Sequence, residues 1–310
     1  MSAPADKHDF LSFYDLGEAA LRNILARAAE LKRLRTAGER PLTLEGKTRG
    51  MIFEKASTRT RVSFEVGMFE LGGHAVYLSA QGTQIGRGEP LRDTARILGA
   101  YCSGIVIRTF GQEVAEELAR FAPVPVISGL TDLLHPCQVA SDLFTVAEQF
   151  GEAALGPRLR YAWIGDGNNM AHSWIEAAAI LDLHLTLACP EGYEPDAEVL
   201  RRARHSGRGH IEVVHDARAA ADGAHVLSTD VWASMGEESE GQSRARAFAG
   251  FCVDEALLRG AAREAIVLHG LPAHRGEEIT DAVIEGPRSA VWTQAANRLH
   301  VQKAILERLQ

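Results

Sequence analysis

Two α/β domains, each a mostly parallel sheet flanked by helices, are predicted by three features of the chain. Apolar residues alternate between helical spacing and short buried runs, this rhythm occurs twice, and it breaks once, between Gly151 and Pro157. A length of 310 residues with 46% hydrophobic content can fill two cores of ordinary domain size.

The first round opens with helical spacing over Leu16–Leu34. Gly, Pro and charge then fill Arg35–Lys47 ahead of an extended run at Gly50–Phe53. Helices are expected at Thr60–Leu71, Thr94–Tyr101 and Val114–Phe121, with strands between and after them at His74–Leu78, Gly104–Ile107 and Val124–Ser128. A helix over Gln138–Phe150 leads into the break. The second round gives strands at Arg160–Gly165, His184–Ala188, Ile211–Val214 and His225–Ser228, helices at Met170–Leu181 and Ala197–Ser206, and a closing helix over Ala295–Leu309. The expected domains are residues 1–150, 151–288 and a C-terminal helix, 289–310, that packs back on the first domain.

Composition narrows the function classes. Lys and Arg total 33 against 41 Asp and Glu, a formal charge of -8, so no general attraction to nucleic acid or an anionic membrane is expected. Cys102, Cys137, Cys189 and Cys252 have neither zinc-site spacing nor the density of a disulfide scaffold, which fits reduced thiols in a cytoplasm. No apolar run approaches the roughly 20 residues of a membrane span, and Met1–Phe10 is polar. No cofactor or metal is expected.

An anionic ligand would therefore need a local basic pocket, and the chain offers one. Directly after the Gly50–Phe53 run come Ser57, Thr58, Arg59, Thr60 and Arg61, at the start of a helical stretch. Unpaired N–H groups at a helix start, hydroxyls and a forked guanidinium together suit a phosphate. An isolated Ser-Thr pair more often only caps its helix; two arginines among the hydroxyls shift the balance.

Ser57–Thr60 resembles the carbamoyl-phosphate motif of the aspartate and ornithine carbamoyltransferases, and His135, Pro136, Cys137 and Gln138 resemble that family's second signature. Arg108 and Arg298 stand where the family places two further ligands of carbamoyl phosphate, and Gln84 is similar to a residue that reaches into a neighbouring subunit's site. The resemblance implies that Arg59, Arg108 and His135 are the catalytic donors. Charge builds on the carbamoyl oxygen and then on the departing phosphate, so fixed donors must face both.

Gly165–Asn169 follows a strand and precedes a helix, like a dinucleotide loop, but Met170 occupies the third glycine position and no acid follows the next strand. A Gly-Asp-Gly-Asn-Asn loop is instead familiar from ornithine carbamoyltransferases, where the residue matching Asn169 binds ornithine. Thr229–Gly236 resembles their acceptor loop and not that of the aspartate enzymes, which implies acceptor roles for Asp230, Ser234 and Met235. Asp230 supplies a carboxylate for an α-ammonium. The polar run Gly236–Gly250 is similar to the family's mobile loop.

His269–Gly276 carries a departure. Relatives typically have His-Cys-Leu-Pro where this chain has His269, Gly270, Leu271 and Pro272. Gly270 and Leu271 are expected beside the carbamoyl donor, and restoring the thiol at Gly270 is expected to improve ornithine turnover.

The resemblance as a whole implies transfer of the carbamoyl group of carbamoyl phosphate to the δ-amine of L-ornithine, giving L-citrulline and phosphate in arginine metabolism. It implies an active site between two domains and a homotrimer, or a multiple of trimers, with shared sites. An alkyl ammonium has a pKa of about 10.4, so kcat/KM for ornithine is expected to rise from about pH 7 towards pH 9. The alternatives are a carbamoyltransferase acting on putrescine or an acylated ornithine, a nicotinamide-dependent oxidoreductase and a non-catalytic binding protein. Asp230 argues against an acceptor whose α-amine is blocked or missing.

Overall fold

A computed structural model of the chain describes residues 7–79, 88–233 and 241–310. It divides into two compact units, one running to Ser141 and joined by Ala296–Gln310, the other formed by Asp142–Ala295. Both contain a wholly parallel sheet flanked by helices.

The first unit runs α1 (Phe13–Thr36), β1 (Thr48–Phe53), α2 (Arg59–Glu70), β2 (His74–Ser79), α3 (Leu91–Tyr101), β3 (Gly104–Arg108), α4 (Gln112–Phe121), β4 (Val126–Leu130) and α5 (Pro136–Phe150), and ends in α12 (Val291–Arg308). The two units divide within α5 and within α12. Local chemistry sets the ends of these elements. Ser12 and Asp15 form a capping box at the start of α1. At the other end of the unit, buried Arg49 donates to the carbonyls of Leu306 and Leu309, which a helix C-terminus leaves without intrahelical partners.

The sheet order β2-β1-β3-β4 reverses direction between β1 and β3. Loops leaving those two strands diverge, which opens a crevice at their carboxyl ends. Ser57–Thr60 follow β1, and Arg108 ends β3 opposite Phe53. A register shift between Ile107 and Arg108, of the kind that re-aims a side chain, sits at this point.

The second unit contains β5 (Arg160–Ile164), α6 (Asn169–Leu181), β6 (His184–Ala188), α7 (Ala197–His205), β7 (His210–Val214), α8 (Ala217–Ala221), β8 (Val226–Thr229), α9 (Gly241–Ala247), α10 (Glu255–Gly260), β9 (Ile266–His269) and α11 (Asp281–Ile284). Its order, β7-β6-β5-β8-β9, reverses between β5 and β8, so Gly165–Asn169 and Asp230 leave the two strands that bound the crevice. The core on one side is small and aromatic, with Ala162, Ile164, Leu227, Trp232, Phe248 and Val267 in one cluster.

Strand ends shift by one or two residues in several places, and two departures have a clear physical reason. β4 spans Val126–Leu130, two residues later than Val124–Ser128, because Pro123 and Pro125 lack ladder donors and the strand begins beyond them. β9 was not expected at all: its four buried residues, Ile266–His269, are too few to show a period.

Candidate active site

In the first unit, four cationic or ionisable side chains are gathered at the β1/β3 crevice. Arg108 comes from β3, His135 from the turn before α5, Arg298 from α12 and Arg59 from the first position of α2. Arg108, His135 and Arg298 are 8%, 7% and 3% exposed. Arg298 ties the cluster together: Nη2 donates to Thr60 Oγ1 at 2.7 Å and Nη1 to Gln138 Oε1 at 2.8 Å, joining the starts of α2 and α5. The Arg108 Nε is buried without a hydrogen-bond partner among the described residues.

Thr58 is the N-cap of α2, yet its side chain makes no capping hydrogen bond. The simple capping role open to Ser57 and Thr58 is thus not the one Thr58 plays, and its hydroxyl leaves the donors of the first turn available to a ligand. Ser57 is half-buried and Thr58 exposed beside them.

The electrostatics follow from crowding. Burial, then the guanidinium groups of Arg298, Arg108 and Arg59, hold His135 well below the usual imidazole value, so the ring is neutral. Burial and the repulsion of Arg298 and Arg59 bring Arg108 down to about 10. Three cations around a neutral imidazole make a site that an anion would relieve. Cys137 has no nucleophilic part in it: its thiol donates to the Ser128 carbonyl at 3.2 Å, and burial pushes it up to about 12.

In the second unit, Asn168 caps α6 by accepting from the N–H groups of Met170 and Ala171, which sets the half-buried Asn169 as the first helical residue. Gly167 has a packing reason to be glycine. A Cβ there would lie 2.3 Å from the Glu194–Pro195 peptide, so this loop needs glycine with no dinucleotide present. Asp230 follows β8, and the register Thr229↔His269 brings His269 alongside.

His269 is fully buried and fixed at both nitrogens. Nδ1 accepts from the Leu271 N–H at 2.8 Å, which leaves the proton on Nε2 to be donated to Glu278 at 3.0 Å. This holds Leu271, a non-glycine residue at φ 54° preceding a cis proline, in the left-handed region. Gly270 faces the Asp230 carboxylate: a Cβ added there would sit 3.3 to 3.4 Å from its three atoms.

These halves have relatives. A model of the aspartate/ornithine carbamoyltransferase carbamoyl-P binding domain matches residues 8–148, and one of the Asp/Orn binding domain matches residues 158–309. The chain is 56% identical over 300 residues to ornithine carbamoyltransferase of Pelobacter propionicus, covering 97% of each chain. It is 55% identical over 300 residues to that of Geobacter metallireducens, covering 97% of this chain and 98% of the other. Among solved structures, ornithine carbamoyltransferase from Pyrococcus furiosus superposes with a TM-score of 0.91 at 46% identity over 96% of both chains. The chain belongs to the aspartate/ornithine carbamoyltransferase family.

Against the carbamoyltransferase motifs, the first unit brings together Arg59, Thr60, Arg108, His135, Gln138 and Arg298 through the contacts and charge effects given above. The second brings Gly270 against Asp230, with Asn169 on the adjoining loop. Gln84, Ser234 and Met235 lie outside the described residues. Neither Arg244, within the Gly236–Gly250 run, nor Glu278 is singled out by a sequence motif. Arg244 was hidden in a polar run, where Phe248 one helical turn later was the available signal; Glu278 was hidden beside an exposed acid, Glu277. Among the described residues, His274, Glu277 and Glu278 bring potential metal-ligand atoms within 4.8 Å of one another, with Glu278 Oε1 already accepting from His269 and the His274 amide.

Proposed function

We propose that this protein carbamoylates L-ornithine from carbamoyl phosphate, giving L-citrulline and phosphate. The observation that carries the reading is the buried arginine cluster around a neutral His135, at the crevice of a unit that matches a carbamoyl-P binding domain. Arg59 and the α2 N–H groups, with Ser57, Thr58 and Thr60, hold the phosphoryl oxygens. Arg108 and neutral His135 donate to the carbamoyl oxygen as charge develops there. Arg298, in contact with Thr60 and Gln138, keeps the donor set in register and adds positive charge.

The acceptor is held by Asn169 and Asp230, with Ser234, Met235, Gly270 and Leu271 completing the two sites as the resemblance implies. The neutral δ-amine attacks the carbamoyl carbon, the C–O bond to phosphate breaks, and the amine's proton is released, so no covalent enzyme intermediate is required. Asp230 favours an acceptor with a free α-ammonium over putrescine or an acylated ornithine. Support for trimers with shared sites comes from the resemblance at Gln84 and from exposed apolar side chains on the first unit, among them Val62, Phe69, Ile97 and Tyr101. The four free cysteines fit a cytoplasmic protein in arginine biosynthesis.

The test is an acceptor panel with carbamoyl phosphate. Ornithine should release one phosphate per citrulline and outcompete putrescine and N-acetylornithine. Preference for either of those, or phosphate release independent of any amine, would reject the assignment.

A further inference from the structure

The turn that follows His269–Pro272 gathers three side chains able to ligate a metal, none of them assigned to either substrate. The Glu277 N–H donates to the His274 carbonyl at 2.9 Å and the Gly276 N–H to the Ile279 carbonyl at 2.8 Å, and Arg275 bridges to Ile279. This tight backbone path brings one ligand atom each from His274, Glu277 and Glu278 within 4.8 Å of the others.

Acidic groups often cluster at a surface without holding an ion, and Glu278 sets this cluster apart. It is fully buried, and its Oε1 accepts twice, from His269 Nε2 at 3.0 Å and from the His274 N–H at 2.6 Å. Oε2 is buried too and has no hydrogen-bond partner among the described residues. A buried carboxylate oxygen left in this way calls for a water or an ion. The ligand atoms beside it belong to His274 and Glu277, whose side chains are 52% and 61% exposed and give the cluster an open side.

The distances suit a small cation. Zinc bonds of about 2.1 Å to nitrogen and oxygen, at a tetrahedral angle, put two ligand atoms about 3.4 Å apart. His274 Nδ1 and Glu277 Oε2 stand 3.7 Å apart, and exposed side chains turn easily enough to close that gap. The ligating carboxylate is already held from behind by His269 and the His274 amide, as carboxylates in metal sites commonly are. Arg275, the cation of this turn, is committed to Asp281 and Glu285, so its guanidinium does not take the place of an ion. One imidazole and two carboxylates favour a dication of the zinc type, whereas magnesium and calcium prefer shells made of oxygen alone.

We infer that His274, Glu277 and Glu278 form a binding site for a zinc-type divalent cation, with a fourth position open to water. The site does not depend on the substrate assignment. An ion on Oε2 would fix the carboxylate that holds His269 and, through His269 Nδ1, the Leu271 turn.

The test titrates chelator-treated, full-length protein with zinc chloride by calorimetry, using wild type, His274→Ala, Glu277→Gln and the His274→Ala/Glu277→Gln double variant. Wild type should bind one zinc per chain at this site. Each single variant should bind it at least tenfold more weakly, since even a residue that only supports a ligand is worth on the order of 10- to 100-fold in affinity. Excess magnesium should leave the wild-type titration unchanged. Zinc should raise the melting temperature of wild type and not that of the double variant. Both substituted side chains are exposed, so without metal the variants should melt at the wild-type temperature, which separates loss of the site from loss of the fold. Cobalt(II) in place of zinc should give wild type the visible absorption of a four-coordinate ion and give the double variant none.

Wild type that takes up no zinc would overturn the inference. So would zinc binding undiminished in either single variant, because the ion would then sit on other side chains, and displacement of zinc by magnesium would overturn the choice of cation.

Discussion

The two crevices use opposite electrostatic designs. In the first unit, Arg59, Arg108 and Arg298 crowd one another and hold His135 neutral, so the site stores like-charge repulsion. In the second, the buried charges are paired: Asp166 with Arg244 at 3.1 Å, and Glu278 with the His269 N–H at 3.0 Å. The contrast matches the ligands. A dianion neutralises a cationic cradle, whereas a zwitterion needs one placed carboxylate in surroundings that are already balanced.

Removing a cradle arginine should break the first site hardest. Arg108→Ala is expected to lower kcat about a hundred- to thousandfold, the scale for losing one donor to a developing charge. Asp230→Asn attacks the second site, and should raise KM for ornithine on the order of 10- to 100-fold through loss of a charged hydrogen bond, with KM for carbamoyl phosphate held. Equal effects of either variant on both substrates would erase the distinction between the crevices.

The crowded cradle also predicts acid sensitivity. His135 titrates well below its unfolded value, so the unfolded chain binds a proton that the native state refuses once the pH falls below about 6.5. Its contribution is present above that pH and is lost as the pH falls, at about 1.4 kcal/mol per pH unit for one proton. His300, brought down to about 4 by burial, adds a slope of the same sign. Chemical denaturation from pH 7 to 5 should therefore show His135→Gln losing stability less steeply than wild type by about one proton; equal slopes would mean that His135 is not held neutral.

The smallest effects are expected at Gly270. Its Cβ position is tight against Asp230 by only a few tenths of an ångström, so Gly270→Ala should change ornithine KM by a few-fold at most. Gly270→Cys then separates the methylene from the thiol: turnover above that of the alanine variant measures the sulfur's own contribution, and identical kinetics would deny it one.

Much of the architecture was legible because helix and strand periods differ sharply, and the wrapped helices and buried strands of both units follow that alternation. β4 began late for want of proline N–H groups, and β9 was too short to announce itself. The cradle motifs were legible because Ser57–Thr60 and His135–Gln138 are contiguous. Arg108 and Arg298, 190 positions apart in sequence, could be joined to them only by resemblance. Arg244 escaped because a buried arginine in a charged run looks like a solvated one until Asp166, Tyr193 and Trp232 are seen around it.

The most direct measurement is equilibrium binding of carbamoyl phosphate alone, by titration calorimetry, to wild type, Arg108→Ala and Asp230→Asn. Wild type and Asp230→Asn should bind it equally, and Arg108→Ala should bind on the order of a hundredfold more weakly. Undiminished binding to Arg108→Ala would contradict the assignment of the cationic crevice to the carbamoyl donor.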